Sequence, residues 1–78
     1  MFDTEMRFVR RYQTYGIMVL LEDNGGVYVW EVYYQIKGTA WEFAFGLPAV
    51  SHCLQEVFDI AESNFVIYAD IMFNDEED

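Results

Sequence analysis

The sequence predicts an α+β fold: a small antiparallel sheet of three to four strands with one amphipathic helix packed on one face, in ββ(β)αβ order. Three observations predict it. A glycine-containing turn signal, EDNGG at 22–26, separates two apolar runs; the hydrophobic period changes from two to about 3.6 at Pro48; and a further apolar alternation follows Asn64.

The N-terminal segment, residues 2–14, admits two readings. As a helix, Asp3 or Thr4 would cap it and the arginines would fall near its C-terminal end; as a strand, MRFVRRYQTYG runs on into IMVLL with Gly16 as a bend or bulge. The extended reading is preferred. Between GIMVLL and VYVWEVYYQI, Asn24-Gly25 supplies two residues that tolerate positive φ, so a β-hairpin is predicted there. A second turn at Lys37–Thr39 leads into AWEFAFG, whose alternation assigns Trp41, Phe43 and Phe45 to one face and Ala40, Glu42 and Ala44 to the other.

From Pro48 to Ser63 the pattern is helical. Val50, Cys53, Leu54, Val57, Phe58, Ile60 and Ala61 share one arc of roughly 160°, with Ser51, His52, Gln55, Glu56, Asp59, Glu62 and Ser63 opposite. Pro48 suits the first turn, where its missing N–H costs nothing. The run FVIYADIMF reads as a last strand, with Ile67, Ala69, Ile71 and Phe73 inward and Val66, Tyr68, Asp70 and Met72 outward.

A chain of 78 residues reads as one domain, with 74–78 as an acidic tail. Its 54% hydrophobic content sets it apart from disordered sequences, so a packed core is expected. Cys53 is the only cysteine, which excludes an intramolecular disulfide and favours a reducing, cytoplasmic setting. MFDTEMRF carries acids where a signal peptide places basic residues, and the uncharged run Phe43–Gln55 is too short to span a bilayer, so no membrane association is expected.

The residue types of catalysis are scarce. His52 is the only histidine, and on a helix Ser51 and Cys53 would project about 100° to either side of it, which forms no nucleophile and base pair. His52 reads as a solvated surface residue and Cys53, on the apolar arc, as a buried structural thiol. DNGG lacks the oxygen ligands of a calcium loop, no Cys/His cluster exists, and Gly25-Gly26 precede a strand rather than a helix. No enzymatic activity, metal or cofactor is expected.

Charge is the distinctive feature. Fourteen acids against four bases give −10, and after Lys37 nine acids follow without a single base. Such a field disfavours direct contact with nucleic acid and attracts Lys/Arg-rich protein surfaces. Glu56, Asp59 and Glu62 recur every three residues along the predicted helix, with no Lys or Arg to relieve them. Outward Asp70 and the run Asp75, Glu76, Glu77 and Asp78 extend the same patch. Taken singly, a terminal acidic run is a solvating tail and an acidic helix face is the wet side of an amphipathic helix; their combination with the missing bases points to a binding surface. The run VYVWEVYYQI, residues 27–36, is apolar on both faces, so the face away from the helix keeps aromatics exposed, and Tyr33 and Glu31 on it join the candidate partner-binding residues.

In length, charge and element order the chain resembles the anti-CRISPR proteins of phages and mobile elements. The resemblance implies a non-enzymatic inhibitor of DNA-mimic type. It would bind the basic nucleic-acid-binding surface of a CRISPR effector complex, in the host bacterial cytoplasm if phage-encoded. No functional residue carries over, and Arg7, Arg10 and Arg11 depart from a uniformly acidic mimic. Two other readings stay open: a homodimeric or accessory interaction module built on the second sheet face, and an immunity protein that plugs the basic site of a nuclease toxin.

Overall fold

Glycine at two consecutive positions sets the central hairpin. In the computed structural model, which describes residues 3–73, Gly25 and Gly26 hold φ of 69° and 92°, and Asn24 pairs directly with Val27 across them. This two-residue turn, with both centres in the left-handed region, matches the twist of the strands it joins. The hairpin is as predicted, but its centre lies one residue beyond Asn24-Gly25. The Asp23 carboxylate accepts the Gly26 N–H at 2.8 Å, which holds the turn from the strand side.

Four strands, β1 (Asp3–Arg11), β2 (Tyr15–Asn24), β3 (Val27–Ile36) and β4 (Glu42–Pro48), form one antiparallel sheet in sequence order. The N-terminal segment is therefore extended, as preferred. It is a separate strand that turns back at residues 12–14, and Gly16 lies in register within β2, opposite Arg11 and Gln35, rather than at a bend. A side chain at Gly16 would come within 3.1 Å of the Trp41 ring, so the glycine there makes room for an indole laid across the strand. Gly38, at φ 87°, shapes the β3–β4 turn, closed by the Thr39 N–H on the Ile36 carbonyl at 2.9 Å.

In β4 the simple alternation fails. Val32 faces Phe45 and Tyr33 faces Phe43, so Ala44 is an extra residue that bulges the strand. Phe43 and Phe45 consequently lie on opposite faces: Phe45 packs toward the core, and Phe43 meets Tyr33 edge-on at 5.5 Å on the other side.

The largest departure is at the C-terminal end. Instead of a helix from Pro48 and a last strand, Pro48 closes β4, a 3-10 turn covers Ala49–Ser51, and one continuous helix, α1, runs Leu54–Phe73. The order is ββββα. The helix continues because Ser63-Asn64 offers neither Gly nor Pro to stop it, and Val57, Ala61, Phe65 and Tyr68 form one stripe at steps of four and three. The alternation read at 66–73 was coincidental to that stripe. A helix also satisfies its own backbone groups, whereas a fifth strand would have needed an edge to pair with.

With α1 starting at Leu54, Cys53 is its N-cap. Its carbonyl accepts the first helical bond, from the Val57 N–H at 3.0 Å, and its own N–H is taken by the Glu56 carboxylate at 3.1 Å, half of a capping box. Cys53 is thus exposed, not buried as predicted.

α1 lies across β2 and β3. The core is Ile17 and Val19 from β2, Trp30, Val32 and Tyr34 from β3, and Val57, Phe58 and Ala61 from α1. Burying each of the larger apolar side chains contributes about 1.5–3 kcal/mol before entropy is counted. Two polar groups enter this core and both are satisfied: Trp30 Nε1 donates to the His52 carbonyl at 2.8 Å, and Tyr34 Oη donates to the Ala61 carbonyl at 2.5 Å. An aromatic stack closes the far end, with Tyr15 lying between Tyr12 at 4.5 Å and Phe65 at 3.6 Å.

Candidate interaction surfaces

The predicted partner-binding residues divide between two surfaces on opposite sides of the sheet. At about 100° per residue, Glu56, Asp59 and Asp70 fall within roughly 60° of the outward face of α1 and span about 21 Å of its axis. All three are exposed, and the helix carries no Lys, Arg or His. Asp70 lies in the last described turn of α1. Asp75, Glu76, Glu77 and Asp78 lie outside the described residues.

Glu62 leaves the patch. It sits on the β1 side of α1, where Tyr12 Oη donates to its carboxylate and the Arg10 guanidinium approaches at 3.5 Å. This charge is locally neutralised and ties the edge strand to the helix. Sequence periodicity could not show this, because it depends on which strand lies beneath that side. Glu56 and Asp59 also have local contacts, the first as a cap and the second accepting from Gln55 Nε2 at 3.0 Å, yet neither donor is charged and both carboxylates keep their field.

Tyr33 and Glu31 come together on the opposite, helix-free face, where Tyr33 Oη donates to Glu31 Oε1 at 3.0 Å. Desolvation, and then this bond, push the Tyr33 phenol above its usual range. Around them the register aligns rows across the sheet: Val9, Met18, Tyr33 and Phe43 form one row, and Arg7, Leu20, Glu31 and Gly46 the next. Val9 is 44% and Phe43 56% exposed. Val9, Met18, Leu20 and Phe43 were absent from the predicted set, although the two-sided apolar pattern of residues 27–36, now β3, signalled the face they occupy. At its end, the Arg11 guanidinium lies 5.6 Å over Trp41 and donates to Gln35 at 3.1 Å.

The predicted helical setting of Ser51, His52 and Cys53 is overturned, since Ser51 ends the 3-10 turn and His52 is extended. Ser51 Oγ lies 3.1 Å from His52 Nδ1, but the same nitrogen is 3.0 Å from the Pro48 carbonyl. A carbonyl only accepts, so Nδ1 carries the proton and offers Ser51 no base. A concavity of about 580 Å³ near the hairpin tip, lined by Leu21, Val27, Tyr28, Trp30 and Val50 among others, has Tyr28 as the one titratable side chain among its described residues. Among the described residues no group of three or more His, Cys, Asp or Glu could hold a metal ion, and no helix is long and apolar enough to cross a membrane.

Comparison of the chain with protein-family models, with curated proteins and with solved structures finds no match.

Proposed function

We propose that this protein is a non-enzymatic binder of a basic protein surface, with the outward face of α1 as its contact. It would act by occluding the Lys/Arg-rich surface of a nucleic-acid-handling complex, in the manner that the resemblance to anti-CRISPR proteins implies, a resemblance that now rests on length and charge, since the element order is ββββα. The observation that carries this reading is the placement of Glu56, Asp59 and Asp70 along one face of a helix with no cation on it. Three carboxylates over about 21 Å suit a run of cations spaced to grip a phosphate backbone.

The test is affinity capture from a bacterial lysate with elution by increasing salt. The expected result is a basic, nucleic-acid-binding partner that elutes as the Debye length falls from about 10 Å toward 3 Å and that competing DNA displaces. The triple variant Glu56→Gln, Asp59→Asn, Asp70→Asn, which keeps side-chain size, should lose the partner. Capture indifferent to both salt and the triple variant would overturn the reading.

A further inference from the structure

We infer that the helix-free face of the sheet is a docking surface for a second copy of this chain, packed face to face about a two-fold axis that runs parallel to the strands over β2. This inference is independent of the proposed function, which uses the other side of the molecule.

Composition of the face is the first argument. The protein carries −10 overall, yet the charged side chains described on this face are Arg7, Arg11, Glu31 and the buried Glu22, two of each sign. A face whose described charges balance, on so acidic a molecule, is where two copies meet with least repulsion. The acids of α1 lie on the far side of each sheet, so a face-to-face pair keeps them two sheet layers apart, well beyond a Debye length of about 8 Å.

Register is the second and more specific argument. Arg7, Leu20 and Glu31 are direct neighbours across β1, β2 and β3, at one level along the strands. A two-fold axis over β2 preserves that level and exchanges β1 with β3. Arg7 of each copy therefore meets Glu31 of the other, twice per dimer, and Leu20 meets its own counterpart. The adjoining row obeys the same rule: Val9 meets the second copy's Tyr33, and Met18 meets Met18. The face is complementary to itself, as an isologous contact requires. Sheets pack in this way about 10 Å apart with their side chains interdigitated. The Tyr33 hydroxyl on Glu31 holds that carboxylate on the face.

Sedimentation equilibrium at physiological ionic strength tests this with a charge swap. The wild-type chain should be a dimer. Arg7→Glu should raise its dissociation constant by at least about tenfold, because like charges then oppose each other at both symmetric contacts. The double variant Arg7→Glu, Glu31→Arg should restore the dimer, since the reversed pair is again complementary. Neither residue is in the core, and circular dichroism verifies that each variant keeps its fold. A monomer at every concentration would overturn the inference, leaving the face to a different partner. So would a dimer indifferent to Arg7→Glu, a double variant no tighter than the single, or a dimer lost instead on Ile71→Asp at the exposed end of α1.

Discussion

The Arg10 guanidinium lies 4.1 Å above the ring of Phe58, and the same group reaches Glu62 at 3.5 Å. One side chain thus joins edge strand β1 to α1 by a cation–π contact and an ion pair, both partly exposed. Removing it with Arg10→Ala should cost about 1–2 kcal/mol, of which the exposed ion pair supplies at most about 1. Arg10→Met keeps the packed stem and should cost less. Urea denaturation measures both, and the gap between wild type and Arg10→Met should narrow at high salt.

Tyr34 predicts the alkaline limit of the fold. Burial first, and then the neighbouring Tyr15 and Tyr68, push its phenol far above the usual value. Tyr12, Tyr15, Tyr33 and Tyr68 shift the same way, each chiefly by desolvation. A folded pKa above the unfolded one means that this stability is fully present below about pH 10 and is lost as pH rises through the folded values. Tyrosinate absorbance should therefore rise together with the loss of circular dichroism. Tyr34→Phe, which forfeits the bond to Ala61, should cost about 1 kcal/mol at neutral pH and flatten the alkaline dependence.

Glu56 has two separable roles. Its carboxylate caps Cys53, and it is also part of the outward acidic face. Glu56→Ala should lower stability by about 0.5–2 kcal/mol through the lost cap. Glu56→Gln keeps an acceptor at the same reach and should lose less, while removing the charge from the outward acidic face. Thermal unfolding beside capture of a basic partner separates the two.

The central hairpin and the helical stripe from Val57 to Ala61 were legible because each is local. A glycine pair permits positive φ, and a period near 3.6 needs only neighbouring residues. Residues 65–73 were misread because they satisfy both periods. Phe65 and Tyr68 continue the helical stripe while Ile67, Ala69, Ile71 and Phe73 alternate, and only packing on Tyr15 and Tyr34 chooses between them. Cys53 was misplaced for a related reason, since the 3-10 turn shifts the helix start by six residues, from Pro48 to Leu54.

Sequence alone determined the α+β class, the acidity, the absence of bases after Lys37 and the presence of a second apolar sheet face. Tertiary structure decided which acids remain a patch: it places Glu62 beside Arg10 and Tyr12, and leaves Glu56, Asp59 and Asp70 outward. It also set Arg7, Leu20 and Glu31 in one row, which no spacing along the chain reveals. Both outcomes depend on strand register, which is set by how a whole face buries against the helix rather than by any residue's own neighbours.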